Sequence, residues 1–131
     1  MVNSVPPILL IVEDEEVLLR ALYLVFHDSG YTIASATDGE NALKMAERLK
    51  PNLILLDLII PKMDGFQFLR NIKANSNLKD IPVVVLSNLG DPEDIVKAKS
   101  LGAIDYFVKA QTDLTTLSEK VSNILNTYNA K

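Results

Sequence analysis

Four consecutive aliphatic residues, Leu53–Leu56, lead directly into an acidic residue, Asp57. An unbroken apolar run of this length is typical of a β-strand that is covered on both faces, as the strands of a parallel sheet are. Asp57 would then stand at the carboxyl end of its strand, which is the edge where open α/β sheets bind their ligands. The alternative interpretation is a strand that simply ends in a solvated acid.

Four other apolar stretches predict β-strands, at residues 8–12, 31–36, 81–86 and 104–108. Helical patterns fill the intervals, and the first helix is expected to begin at Asp14 as its capping residue and to run to about Asp28. The later helices are predicted to begin at or just after Asp38, Asp64, Asp91 and Asp113. Five strands that alternate with five helices indicate an α/β fold, a doubly wound parallel sheet with the flavodoxin-like strand order 2-1-3-4-5.

Composition limits the possible functions. The 131 residues, 48% of them apolar and 23% charged, are expected to form one domain over residues 8–131, after a flexible lead-in at residues 1–7. The net charge of −4 disfavours direct binding to nucleic acid or to an anionic membrane, and the absence of cysteine excludes disulfides and thiolate metal sites. The sequence has neither a signal-peptide pattern nor an apolar run near the ~18 residues that span a membrane, so we expect a cytoplasmic protein.

Polar residues follow four of the five predicted strands: Glu13, Asp14, Asp57, Ser87 and Lys109. In the strand order 2-1-3-4-5 these four strands are neighbours, so their side chains should converge on one cleft. Carboxylates held close together repel one another, and a hard divalent cation such as Mg²⁺ relieves that repulsion while keeping coordination positions for phosphoryl oxygens. An aspartate that faces a metal and a lysine can attack phosphorus and form an aspartyl-phosphate. Taken singly, each of these residues could equally be a solvated loop residue.

Four motifs carry a resemblance to a known family: ILLIVEDEE, LILLDLIIPKMDG, VVVLS and DYFVK, in this order. From Ile8 to about Leu125 the sequence resembles the receiver domain of two-component response regulators. The resemblance implies that Asp57 accepts a phosphoryl group from the phosphohistidine of a sensor histidine kinase or phosphotransfer protein. It also implies a Mg²⁺ site formed by Asp14, Asp57 and the backbone carbonyl of Ile59, with Glu13 contributing directly or through water.

The same resemblance assigns the remaining site residues. Ser87 and Lys109 match the hydroxyl and the lysine of the family, and Tyr106 matches its switch aromatic. Phosphorylation would then alter the face formed by the fourth helix, the fifth strand and the fifth helix. The implied partners are a downstream effector or a fused output domain, and a homodimer linked to phosphorylation is a further possibility.

Some positions depart from the common pattern of the family. Ala110 follows Lys109 where proline is usual, and because a cis peptide bond without proline costs about 3 kcal/mol we expect this bond to be trans. Asn88 replaces a small residue and is expected to narrow access to the site or to donate to the phosphoryl group. Ile59 and Leu89 flank the reaction line, and since neither side chain can orient a water we predict a long-lived aspartyl-phosphate.

Two surfaces are candidates for partners. The first helix is more apolar than one buried face requires, because Val17, Leu19, Tyr23 and Leu24 widen the core stripe of Leu18, Leu22 and Val25. We interpret the excess as a docking surface, although single exposed apolar residues are also normal. His27 is expected to be a surface residue. Charged residues of the fourth helix could serve a dimer or an effector: Glu93, Lys97 and Lys99.

Three other functions compete with a phosphorylation switch. A Mg²⁺-dependent phosphatase of the haloacid dehalogenase type also uses an aspartate after an apolar strand, but it needs a second acid where this chain has Ile59. A receiver-like scaffold that acts without phosphorylation would not need the set of Asp14, Asp57, Ser87 and Lys109. Nucleotide binding is disfavoured because neither a GxGxxG nor a GxxxxGK pattern occurs.

Overall fold

A five-stranded parallel sheet forms the centre of the computed structural model, which describes residues 5–128. The strands are β1 (Ile8–Val12), β2 (Thr32–Ala36), β3 (Leu53–Leu56), β4 (Val83–Ser87) and β5 (Asp105–Val108), in the order β2-β1-β3-β4-β5. The helices are α1 (Glu16–Phe26), α2 (Gly39–Leu49), α3 (Gly65–Ala74), α4 (Pro92–Ser100) and α5 (Leu114–Tyr128). The predicted fold class and strand order are therefore confirmed. Residues 1–4 of the predicted lead-in lie outside the described residues.

Apolar side chains cover both faces of the sheet and make two separate core layers. One layer joins β1, β3 and β4 to α2, α3 and α4, through residues such as Leu10, Ile54 and Phe68. The other joins the alternate residues of the same strands to α1 and α5, through Leu9, Leu55 and Phe26. All four residues of β3 and all five of β4 are buried, which is why these strands are continuous apolar runs in the sequence.

The starts of the helices agree with the capping prediction at some positions and not at others. The carboxylates of Asp38 and Asp64 accept hydrogen bonds from the backbone N–H groups of Asn41 and Gln67, as expected for N-caps. The expectation that Asp14 caps α1 is wrong. The N-cap is Glu15, whose side chain makes no capping bond, and the Glu15 N–H instead donates to Glu13 Oε2 at 3.0 Å.

No helix in the described part of the chain is both long enough and apolar enough to cross a membrane.

Candidate functional site

The site lies where the central strands end, at the carboxyl edge of the sheet. Val12 of β1 pairs with Leu56 of β3, so Glu13 and Asp57 leave their strands at the same level. Ser87 pairs with Val108 in the same register, which places Lys109 one residue beyond β5. Parallel register thus brings together residues that are far apart in the sequence, as the strand order predicts.

Three acidic side chains form a cluster at this edge. One carboxylate oxygen from each of Glu13, Asp14 and Asp57 lies within 4.8 Å of the other two. Glu13 and Asp57 are buried, with 2% and 4% of their surfaces exposed, whereas Asp14 is exposed to solvent. Hard oxygen ligands in a partly open site suit a divalent cation that keeps some of its water, so the residues present fit Mg²⁺.

Lys109 is the cation of the site and is held by acidic side chains. Its Nζ lies 2.8 Å from Asp57 Oδ2 and 3.0 Å from Glu13 Oε1, and it also contacts Glu15 Oε1. Burial by itself would lower the pKa of Lys109, but hydrogen bonds to Asp57, Glu15 and Glu13 outweigh it, so the pKa is raised. The lysine is therefore fully charged at neutral pH.

The surroundings of Glu13 disfavour its charged form, whereas those of Lys109 favour the charged form of the lysine. Burial raises the pKa of Glu13, and the negative charge of Asp57 adds to the effect, while hydrogen bonds from the Glu15 N–H and from Lys109 lower it. Two buried carboxylates thus share one ammonium group. A second positive charge at this position would stabilise both in their ionised form.

Ser87 and Tyr106 connect the site to the loop after β4. Ser87 is fully buried, and its Oγ accepts a hydrogen bond from the backbone N–H of Leu89 at 3.4 Å. The Tyr106 hydroxyl donates to the carbonyl of Leu89. Burial, together with the charges of Asp94, Asp57 and Asp91, raises the pKa of Tyr106 to about 12, so the phenol remains a donor. Both residues predicted to form the switch therefore hold the same loop.

The other predicted neighbours of Asp57 are at the mouth of the site. The backbone N–H of Ile59 donates to Asp57 Oδ1 at 3.1 Å, while the residue as a whole is 53% exposed. Asn88 is exposed and Leu89 half-buried. The Lys109–Ala110 peptide bond is trans, as expected, and it lies within a turn of 3₁₀-helix at Lys109–Gln111.

A close backbone approach fixes the loop after Asp57. The N–H of Gly65, the first residue of α3, donates to the carbonyl of Leu58 at 2.9 Å. A Cβ atom on Gly65 would lie 2.5 Å from the Cα of Leu58 and 2.8 Å from the Asp57 carbonyl oxygen. Only glycine allows α3 to begin this close to the acidic residue.

Most of the predicted surface residues are exposed, but Leu19 of α1 is half-buried and packs against the core together with Leu18 and Val25. Val17 and Leu24 of α1 have 84% and 72% of their surfaces exposed, so the apolar excess of this helix is on the surface. His27 is also exposed and contacts the carbonyl of Leu24. On α4, Lys97 lies 4.2 Å from the centre of the Phe66 ring in a cation–π contact, so part of its interaction is within the domain.

Sequence reasoning missed one residue of the site, Glu15. Its carboxylate contacts Lys109, which is 94 residues away in the sequence. Its only signal was its position two residues after Glu13.

The comparisons with known proteins agree with this geometry. The family model described as the response regulator receiver domain matches residues 9–122. The chain belongs to this family. The receiver domain is 38% identical over 101 residues to the alkaline phosphatase synthesis transcriptional regulatory protein PhoP of Bacillus subtilis, a match that covers 77% of this chain and 41% of PhoP.

Two solved structures of receiver proteins resemble the domain closely. The Mn(2+)-bound form of response regulator Rcp1 has a TM-score of 0.79 and 33% identity, and the match covers 92% of this chain and 93% of that one. The phosphorylated cyanobacterial phytochrome response regulator RcpA has a TM-score of 0.80 and 30% identity, over 95% and 94% of the two chains. The receiver domain spans 41% and 44% of the length of curated relatives such as PhoP and PhoB.

Proposed function

We propose that this receiver domain is a phosphorylation switch in which Asp57 accepts a phosphoryl group from a phosphohistidine. The observation that carries the proposal is the environment of Asp57. Its buried carboxylate lies 2.8 Å from a lysine and within 4.8 Å of oxygens from two other acids. The pocket therefore combines a nucleophile, a positive charge for the phosphoryl oxygens and the ligands for a metal.

The proposed reaction is a single transfer. One carboxylate oxygen of Asp57 attacks phosphorus, a P–O bond forms, and the P–N bond to the imidazole breaks, with its electron pair going to the ring nitrogen. Lys109 pairs with one phosphoryl oxygen, and the Ser87 hydroxyl donates to another. The Ile59 N–H, already directed at Asp57 Oδ1, keeps the carboxylate oriented for attack.

Glu13, Asp14 and Asp57 are proposed to hold Mg²⁺, together with the backbone carbonyl of Ile59. The ion would neutralise the charge that develops on the transferred oxygens. The likeness to a receiver described as Mn(2+)-bound and to one described as phosphorylated supports both the metal and the modification. The domain itself is a signalling module and not a classical enzyme.

Intact mass after incubation with acetyl phosphate and Mg²⁺ tests the proposal. We expect the mass of one phosphoryl group to be gained by the wild-type protein and not by Asp57→Asn or by a sample with excess EDTA. No gain in the wild-type protein would favour a scaffold that acts without phosphorylation. Continuous release of phosphate from unrelated monoesters would instead favour a phosphatase.

The signal is proposed to leave through the face formed by α4, β5 and α5. Ser87 and Tyr106 both hold Leu89, in the loop that leads into α4, so a change at Asp57 reaches that helix through one short segment. The recipient would be a downstream effector or a fused output domain, and a homodimer linked to phosphorylation could use the same face.

The phosphodonor is proposed to dock on the exposed apolar residues of α1, beside the site. Leu24 is exposed and lies away from the acidic cluster, so Leu24→Asp should slow transfer from a histidine kinase that phosphorylates the wild-type protein. Transfer from acetyl phosphate should not change, because that donor needs no docking surface. Equal transfer from the kinase to both proteins would contradict the docking role.

A further inference from the structure

Lys109 has one more acidic partner than the proposed metal site accounts for. Its Nζ contacts Asp57, Glu13 and Glu15, but only the first two belong to the group of carboxylates that can share a cation. The side chains of Lys109 and Glu13 are 10% and 2% exposed, whereas that of Glu15 is 55% exposed. Glu15 therefore contacts the lysine from the solvent side of the site.

The position of Glu15 is fixed by its backbone. It is the N-cap residue of α1, and its N–H donates to Glu13 Oε2 at 3.0 Å. The same residue therefore interacts with Glu13 through its main chain and with Lys109 through its side chain. This arrangement places a carboxylate over the ammonium group without bringing it among the metal ligands.

Lys109 contacts two of the three carboxylates that could hold a divalent cation, Glu13 and Asp57. An ammonium group that bonds Glu13 and Asp57 opposes the binding of a cation to those two carboxylates, because two positive charges held close together repel each other. Glu15 is a third carboxylate, and the cation does not require it. Lys109 therefore retains an ion-pair partner when Glu13 and Asp57 bind the cation. The half-exposed position of Glu15 also lets water replace it when the ammonium group turns to a phosphoryl oxygen.

We propose that Glu15 is a positioning residue for Lys109. Glu15 holds the ammonium group at the mouth of the site and so leaves Glu13 and Asp57 available to Mg²⁺. This inference rests on the proposed function, since it assigns a role within the same site. It predicts that Glu15 increases the affinity for Mg²⁺ without being a ligand.

The effect is measured by titrating the full chain with Mg²⁺ while its amide NMR signals are recorded. Glu15→Gln should weaken binding by about threefold to tenfold, between the contributions of an exposed ion pair and of a buried charged hydrogen bond. The matched control is Glu16→Gln, the next residue, whose carboxylate pairs with Arg20 at 2.7 Å and not with Lys109. It removes the same charge and should change the affinity by less than about twofold.

A double-mutant cycle separates positioning from simple charge. If Glu15 acts through Lys109, Glu15→Gln should no longer weaken Mg²⁺ binding once Lys109→Gln is present. An equal loss in both backgrounds, or an equal loss in Glu15→Gln and Glu16→Gln, would overturn the proposal, because either result describes a direct effect of charge on the metal.

A second measurement needs no substitution of the lysine. In the Mg²⁺-saturated protein, the Lys109 Nζ–H signal should be observable in the wild type and in Glu16→Gln, because an ion-paired ammonium group exchanges its protons slowly. It should be lost in Glu15→Gln, and its persistence there would contradict the proposal.

Neither measurement contains a phosphodonor, so the two proposals fail in different ways. A wild-type protein that binds no Mg²⁺ would contradict both the proposed function and the role of Glu15. Normal binding that is indifferent to Glu15 would contradict the role of Glu15 alone.

Discussion

The main chain and the side chain of Ile59 affect the site in different ways. Its backbone N–H donates to the carboxylate of Asp57, the proposed nucleophile, and its apolar side chain lies at the mouth of the site with 53% of the residue exposed. The main chain therefore orients the Asp57 carboxylate, while the side chain has no donor or acceptor that could bind a water molecule. The lifetime of the aspartyl-phosphate should depend on this side chain.

Ile59→Asn is expected to speed the loss of the phosphoryl group roughly tenfold, which corresponds to about 1.4 kcal/mol of barrier. The amide can donate to and accept from a water in line with the P–O bond, whereas isoleucine cannot. The time course of intact mass after removal of acetyl phosphate measures the rate. Ile59→Leu is the control of similar size and should behave like the wild type. A rate in Ile59→Asn equal to or slower than that of the wild type would contradict the role of Ile59.

The sequence allowed prediction of the residues whose place follows from strand register. Ser87 is the last residue of β4, and Glu13, Asp57 and Lys109 directly follow β1, β3 and β5, so their convergence followed from the strand order alone. Glu15 could not be found in this way, because its role depends on the direction of a flexible side chain and on a partner 94 residues away. Asp14 was wrongly expected to cap α1 because its residue type suits both a cap and a metal ligand, and pattern alone cannot choose between them.

At the scale of the elements, the start of α3 lies against the loop that carries Asp57. Gly65→Ala should destabilise the domain by about 1–3 kcal/mol, the usual cost of overpacking, because its Cβ would meet backbone atoms of Asp57 and Leu58. Gly90→Ala is the matched control, since its Cβ would lie 3.5 Å from Val108 Cγ1, an ordinary contact. Urea denaturation measures both. Equal stabilities of the two variants would show that the loop yields at little cost.

The start of α2 should make stability depend on pH. The backbone N–H of Asn41, together with the Asn41 side chain, lowers the pKa of Asp38 from its usual 3.8, because both donors favour the ionised carboxylate. Such a contribution is fully present above 3.8 and is lost as the pH falls through the lower pKa of the folded state.

Asp38→Asn tests this dependence, because it keeps the shape of the cap and removes the charge. The wild-type protein should be the more stable at pH 7, and the free energies of unfolding of the two proteins should converge as the solution is acidified below pH 3.8. Urea denaturation at a series of pH values measures the difference. A difference that stays constant over the series would contradict the assignment.

The architecture of the whole molecule was predictable because strands buried between two core layers have a simple sequence pattern. Strands covered by helices on both faces are expected to be apolar, and all residues of β1 and β3 and the first four of β4 are apolar. Strand ends were less predictable, and β2, β4 and β5 each begin one or two residues later than expected. The residues predicted to begin these strands, Tyr31, Ile81 and Ile104, are apolar but lie before the first paired residues of the sheet.

The same architecture concentrates negative charge at one edge of the sheet. Four acids, Glu13, Asp14, Glu15 and Asp57, lie around one lysine at the edge of the sheet, so the folded state carries a repulsion that the unfolded chain can avoid. Mg²⁺ that binds only the folded state should therefore stabilise it, by about 2.7 kcal/mol when its concentration is 100 times the dissociation constant.

Urea denaturation with and without Mg²⁺ measures this stabilisation, with NaCl at equal ionic strength as the reference for screening. Asp14→Asn should remove most of the effect, because it takes away a proposed ligand, and it should also stabilise the metal-free protein by relieving repulsion. Asp28→Asn, which removes an exposed acid in the 3₁₀ turn after α1, should leave the effect of Mg²⁺ unchanged. A similar response of both variants to Mg²⁺ would mean that the ion acts on the overall charge of the protein and not at the edge of the sheet where Asp57 lies.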